Sequence, residues 1–110
     1  MTQRTLVVVL TTVTGEDEAE RIARTLVEER LAACVNRLAV RSTYRWEAKV
    51  EDDAECLLVI KTAGDLLEDL ERRVGELSSY DVPEFVVLTA SATSDSYLAW
   101  LLESCPPVGG

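Results

Sequence analysis

The segment that most constrains the fold is residues 34–50, where apolar and polar side chains alternate over almost its whole length. A period of two residues is the pattern of a β-strand. At about 3.3 Å per residue such a strand would be roughly 55 Å long, so we expect a bend or a bulge within it. The even positions include Cys34, Leu38, Val40, Tyr44, Trp46, Ala48 and Val50, and the odd positions include Arg37, Arg41, Thr43, Arg45, Glu47 and Lys49.

A hairpin is predicted to follow this strand. The acidic run Glu51-Asp52-Asp53 is typical of a turn, and the apolar residues 56–60 predict the return strand. That return strand is too short to pair with the whole of residues 34–50, so part of the long strand should remain available to another chain.

The rest of the pattern predicts two crossover helices, two more strands and a terminal helix. Strands are expected at residues 6–10 and 85–88, and helices at 16–32, from Gly64 onwards, and around 97–102 after a cap at Thr93 or Ser94. Thr14 and Asp17 resemble a capping box for the first helix. This order is β-α-β-β-α-β, which predicts an α+β ferredoxin-like sandwich with a C-terminal helix, in one domain spanning residues 1–110.

The predicted strands are apolar on both faces. Residues 6–10, 56–60 and 85–88 carry apolar side chains at consecutive positions. The two crossover helices of such a fold cover only one face of the sheet. The terminal helix covers part of the other face, so we expect an oligomer, a homotrimer in particular, to bury the remainder.

Charge and composition exclude several classes of function. The net charge is −9, which makes a nucleic acid an improbable partner. The chain has no histidine, so every imidazole-based mechanism is excluded together with the commonest transition-metal ligand. Cys34, Cys56 and Cys105 are odd in number and far apart, which indicates reduced thiols. No apolar run is long enough to span a membrane. We therefore expect a cytoplasmic protein without a membrane partner.

Several motifs, in order, resemble the CutA divalent-cation tolerance family between about Leu6 and Leu101. They are Leu31-Ala32-Ala33-Cys34-Val35-Asn36, Ser42-Thr43-Tyr44-Arg45-Trp46-Glu47, Lys61-Thr62, Tyr80-Asp81-Val82-Pro83-Glu84 and Tyr97-Leu98-Ala99-Trp100-Leu101. The resemblance implies a compact trimer, a role in the response to divalent metals, and copper as a ligand in some members.

The chain departs from the family pattern at two places. Members often carry His-Pro before the tyrosine of the Tyr-x-x-Pro-Glu motif, where this chain has Ser78 and Ser79. The histidine usually credited with copper binding is therefore absent. Glycine is common after the Trp-Glu pair, where this chain has Ala48.

Two sets of site residues follow. Cys34 and Glu84 are candidate metal ligands. Three symmetry-related copies of Cys34 in a trimer could together bind a soft metal ion. Alternatively, Cys34 is a small buried apolar residue. Trp46, Lys61, Tyr80 and Glu84 are grouped into one cleft by the resemblance. Such a set would hold a polar ligand or a metal-bound water, or it would simply fasten the loop before the last strand.

Three further features have a plain structural alternative. The acidic residues 51–55 offer oxygen ligands for a hard cation, or form a solvated turn. The basic stripe Arg37, Arg41, Arg45 and Lys49 would bind a small anion, or protect a sheet edge and pair with acidic residues of a neighbouring subunit. The threonine-rich residues 11–15 would bind an anion at a helix N-terminus, or only cap the helix.

Three functions remain. The first is a trimeric metal-tolerance protein, whose cofactor would be a divalent metal such as copper. The second is a regulatory trimer resembling the PII proteins, with a small anionic metabolite between subunits; the lack of a long loop between the middle strands disfavours it. The third is an enzyme such as an acylphosphatase. It ranks last, because the loop after the first strand lacks an arginine.

Overall fold

A computed structural model describes residues 4–107, so both ends of the predicted domain lie outside the described residues. The expected β-α-β-β-α-β order with a terminal helix is confirmed. The elements are β1 (Leu6–Val13), α1 (Glu16–Glu28), β2 (Cys34–Trp46), β3 (Lys49–Ala63), α2 (Leu67–Leu77), β4 (Val86–Thr89) and α3 (Asp95–Ser104), with a single 3-10 turn at Gly64–Leu66. None of the described helices is long and apolar enough to cross a membrane.

The four strands form one antiparallel sheet in the order β2-β3-β1-β4. This is the α+β arrangement expected of a ferredoxin-like chain. The register places Val9 of β1 opposite Ile60 of β3 and Val87 of β4. It therefore decides which alternate residues of each strand share a face.

One face of the sheet, which we call the covered face, packs against α1 and α2. Its strand residues Val9, Leu58 and Ile60 are completely buried, and so are Ile22 of α1 and Leu70 of α2. The helices supply these contacts because their apolar residues recur at helical spacing along one side.

The opposite face, which we call the open face, is covered at one end only. There Leu101 of α3 and Cys105, which directly follows the helix, pack against Leu6 and Ala63. The N-cap of this helix is Ser94, whose hydroxyl accepts a hydrogen bond from the backbone N–H of Tyr97 at 3.3 Å. One of the two predicted caps is thereby confirmed.

The predicted position of the hairpin turn is wrong. The turn consists of Glu47 and Ala48, which have φ of 50° and 66°, as a two-residue hairpin turn requires. Neither residue type favours positive φ, so the sequence gives no local sign of the turn. The acidic residues 51–53 instead lie within β3.

Pairing between β2 and β3 is complete. It runs without interruption from Trp46 opposite Lys49 to Cys34 opposite Lys61, so neither a bulge nor an unpaired stretch of β2 occurs. The prediction that the return strand is too short to pair with the whole long strand is wrong. Residues 49–55 of β3, however, do not pair with β1, so this end of the hairpin projects past the rest of the sheet.

Helix α1 is shorter than predicted and is capped differently. It ends at Glu28, because Arg30 adopts a left-handed conformation with φ of 61°. Its N-cap is Gly15, without a side-chain hydrogen bond, so the predicted capping box is wrong. The Glu18 carboxylate reaches back to the backbone N–H of Thr14 instead.

Candidate functional site

An open cleft of about 690 Å³ lies where the projecting hairpin meets the loop between α2 and β4. Three aromatic residues line it, Tyr44 and Trp46 from β2 and Tyr80 from the loop. Strand alternation places Tyr44 and Trp46 on the open face of the sheet. Its other lining side chains include the carboxylates of Glu55, Asp81 and Glu84 and the hydroxyls of Thr12, Ser42 and Ser79.

Both tyrosine hydroxyls are held by carboxylates of β3. The Tyr80 hydroxyl donates to Oε2 of Glu55 at 2.5 Å, and the Tyr44 hydroxyl donates to Asp53. Burial and the bond to Glu55 raise the pKa of Tyr80 to about 12, and the bond to Asp53 raises the pKa of Tyr44 to about 12. Both phenols are therefore neutral at physiological pH and supply ring faces rather than phenolate oxygens.

The cleft is electronegative. Burial, followed by the charge of Glu55, raises the pKa of Glu84 above its usual range. Among the residues that the structure describes, no lysine or arginine lines the cleft. Three carboxylates in one cleft without a counter-charge favour the binding of a cation.

A buried carboxylate joins the two loops beside the cleft. Glu18 of α1 is 8% exposed and accepts the backbone N–H groups of Thr14 and Ser79, each at 2.9 Å. Burial alone would raise the pKa of Glu18, but these hydrogen bonds and the nearby Arg21 lower it overall. Since Tyr80 follows Ser79 directly, Glu18 fixes the start of the segment that lines the cleft.

The structure brings together three of the four residues predicted to share a cleft. Trp46, Tyr80 and Glu84 all line it. Lys61 does not, because it lies opposite Cys34, towards the other end of the β2–β3 hairpin. Within a single chain, the grouping of Lys61 with the other three is wrong.

The residues of one chain do not fit a transition-metal site. Cys34 is absent from the cleft that contains Glu84, and its cross-strand neighbour is the ammonium-bearing Lys61, which disfavours a bound cation. Between residues 4 and 107, no three Cys, Asp or Glu side chains are placed to hold a metal ion together. A metal needs such converging ligands.

The basic stripe is divided by the hairpin turn. Arg41 pairs with Asp52 on the neighbouring strand at 2.5 Å, and Thr43 donates to the same carboxylate at 3.0 Å. Lys49 lies opposite Trp46, so it is on the other face from Arg41. The partner of Arg41 belongs to the same chain, so the predicted pairing with acidic residues of another subunit stays a prediction.

The acidic and threonine-rich segments serve the structure. Asp52, Asp53 and Glu55 accept hydrogen bonds from side chains of the same chain. The helix start after residues 11–15 is completed by Glu18 and not by a threonine hydroxyl. Neither structural alternative is found as predicted, because the acidic residues lie within β3 and not in a turn, and no threonine side chain caps the helix.

Three residues beside the cleft are not in the predicted cleft set, although Glu55 is among the acidic residues considered for a hard cation. Tyr44 has a readable signal, because it is two positions from Trp46 on a predicted strand and must share its face. Glu55 and Glu18 have none, since each belongs to an acidic run with several equivalent members. Their roles depend on contacts between segments far apart in the chain.

Known proteins resemble this chain in sequence and in fold. Residues 7–104 match the sequence model of the family described as CutA1 divalent ion tolerance protein. The divalent-cation tolerance protein CutA of Thermus thermophilus is 47% identical over 88% of this chain and 95% of its own length. The crystal structure of CutA1 from Pyrococcus horikoshii has a TM-score of 0.87 at 39% identity, covering 89% of this chain and 96% of that one.

A chloroplastic CutA protein of Arabidopsis thaliana is 44% identical over 89% of this chain. The match spans 54% of that relative, so this chain corresponds to about half its length. Family match, sequence identity and fold all agree. The chain therefore belongs to the CutA1 divalent ion tolerance protein family.

Proposed function

We propose that this chain is a trimeric divalent-cation tolerance protein that acts in the response to metal ions and not as an enzyme. The observation that carries the proposal is the family match over residues 7–104, together with the name of the Thermus relative. The incompletely covered open face supports the trimeric assembly. Leu38, Val86 and Leu88 of that face are between 44% and 49% exposed in the single chain, and burying such side chains is favourable.

Direct metal binding, of copper or another divalent ion, would be weak and would need ligands from more than one subunit. A single chain has no histidine and no converging ligand set within its described residues. Of the two predicted metal residues, Glu84 faces an electronegative cleft and is the better candidate, whereas Cys34 has Lys61 beside it.

The PII-like alternative is not favoured. The connection between β2 and β3 is a turn of two residues, Glu47 and Ala48, with no room for a mobile ligand-binding loop. The cleft next to it carries carboxylates, which repel an anionic metabolite. We propose a cytoplasmic location, although the Arabidopsis relative is chloroplastic.

Titration of the purified protein with Cu(I), Cu(II) and Zn(II) tests the metal part of the proposal. We expect weak binding that is lost in Glu84→Gln and retained in Glu103→Gln, a change in an exposed carboxylate of α3. Binding no tighter than that of an unrelated acidic protein would contradict direct metal binding. It would leave an indirect role in metal tolerance, which is tested by growth of metal-challenged cells with and without the protein.

A further inference from the structure

We propose that the cleft beside Tyr80 binds a small organic ammonium ion, such as a diamine or a methylated amine. The proposal concerns the same cleft as the proposed function, but it requires neither a bound metal nor metal tolerance. It rests on the aromatic lining, the charge and the size of the cleft.

The aromatic lining is the strongest of these three observations. Trp46 and Tyr44 both line the cleft, and in the single chain they are 51% and 39% exposed. Tyr80 adds a third ring from the loop. Ammonium ions bind over the faces of such rings, best over tryptophan, and aromatic cages recognise alkylated amines in this way. Because both tyrosine hydroxyls already donate to carboxylates, what these residues offer to a ligand is their ring surface.

The charge in the cleft selects a cation over an anion. Glu55, Asp81 and Glu84 contribute carboxylates, and the described part of the chain places no basic side chain in the lining. Glu84 accepts no hydrogen bond from a described residue, unlike Glu55, which is bound by Tyr80. A primary ammonium group can therefore donate to Glu84 while its carbon chain lies against the rings.

The size of the cleft suits a small molecule better than a bare metal ion. A volume of about 690 Å³ lies within the range of small-molecule pockets. A metal ion would need at least three ligands converging within a few ångströms, and the described residues contain no such group. Spaced rings and carboxylates bind an extended organic cation without that convergence.

The fluorescence of Trp46 provides a direct measurement of binding. The other tryptophan, Trp100, lies on α3 and is removed by Trp100→Phe to leave Trp46 as the only reporter. This protein is titrated with 1,4-diaminobutane and with tetramethylammonium, and separately with succinate and Zn(II), at constant ionic strength. The solution mass is measured before and after each titration, so that any change of assembly is detected.

We expect both ammonium probes to change the Trp46 emission with saturation, and succinate to have no effect. Glu84→Gln should weaken 1,4-diaminobutane binding about tenfold, as expected for one charge-assisted contact. Glu103→Gln is the matched control, since it removes one carboxylate from α3 and should leave binding unchanged. Circular dichroism of each variant confirms that it is folded.

Absence of saturable binding by either ammonium probe would overturn the proposal, and so would equal weakening by Glu84→Gln and Glu103→Gln. Saturation by Zn(II) alone would also overturn it, while supporting the metal part of the proposed function. Conversely, ammonium binding without Zn(II) binding would sustain this proposal and contradict zinc binding in the cleft, so failure of one is distinguishable from failure of the other.

Discussion

The two faces of the same sheet have different fates in a single chain. On the covered face, Leu58 and Ile60 are completely buried beneath α1 and α2. On the open face, Leu38 and Leu88 are 46% and 49% exposed, although they belong to the same sheet and are equally apolar. The chain thus completes one core by itself and leaves the second incomplete.

This difference separates folding from assembly. The covered face gains its burial from helices in the same chain, so its contribution to stability should not depend on protein concentration. The open face has α3 at one end only, and in the proposed trimer other copies would cover the rest of its apolar surface. Its contribution should therefore appear only where subunits associate.

The largest expected effect is a truncation on the covered face. Leu58→Ala removes a completely buried side chain and should lower the free energy of unfolding by about 3 kcal/mol, independently of protein concentration. Leu38→Ala on the open face is the matched control. It should cost less in the monomer and act on subunit association instead. Urea denaturation at several protein concentrations compares the two variants. If both lost the same free energy of unfolding at every concentration, the distinction between the faces would be contradicted.

A smaller effect is expected at Glu18, which joins two loops beside the cleft. Glu18→Gln retains one acceptor but turns an amide N–H group towards the N–H of Thr14 or Ser79, so it should cost about 2 kcal/mol at pH 7. Urea denaturation measures the loss. The matched control is Glu20→Gln on the exposed side of α1, which should change little.

The dependence of this loss on pH has a definite sign. The folded-state pKa of Glu18 is lower than the ordinary value, so its stabilisation is complete above the unfolded pKa of about 4.3. It is lost as the pH falls through the folded pKa. The difference in stability between the native protein and Glu18→Gln should therefore be constant near neutrality and shrink below about pH 4. A difference that grows on acidification would contradict the role assigned to Glu18.

The smallest effect concerns the hairpin turn, which decides which side chains reach the open face. Ala48 has φ of 66°, a conformation that glycine adopts without strain. Ala48→Gly should raise the free energy of unfolding by about 0.5–1 kcal/mol, measured by thermal denaturation. Ala39→Gly within β2 is the control and should lower stability by a similar amount. A loss of stability in Ala48→Gly would show that the turn is not strained.

Much of the fold is readable from residue patterns, because periodicity follows directly from burial. Alternation in residues 34–50 predicts β2, and helical spacing predicts α1 and α2. The position of the hairpin turn cannot be predicted from the sequence, since neither Glu47 nor Ala48 is a residue type that favours turns. The turn is held in place by the thirteen residue pairs between β2 and β3. The acidic run after them has turn-like composition but lies in β3, where its carboxylates bind Arg41 and Tyr44.

The cleft is readable only in part. Trp46, Tyr80 and Glu84 follow from the resemblance, and the structure brings them together. Lys61 is grouped with them by the resemblance alone, but in the single chain it lies opposite Cys34, away from the cleft. Glu18 lies far from Ser79 in the chain, and the hydrogen bond between them arises from tertiary packing, which no local pattern encodes.

The most direct test of the open face is the solution mass of the protein at micromolar concentration, measured by light scattering after size exclusion. We predict three times the chain mass of 12.1 kDa for the native protein and for Val27→Asp, which changes an exposed apolar residue of α1. Leu88→Asp, which places a charge on the open face, should give 12.1 kDa while retaining the native circular dichroism spectrum. A native protein that is monomeric under these conditions would contradict the account.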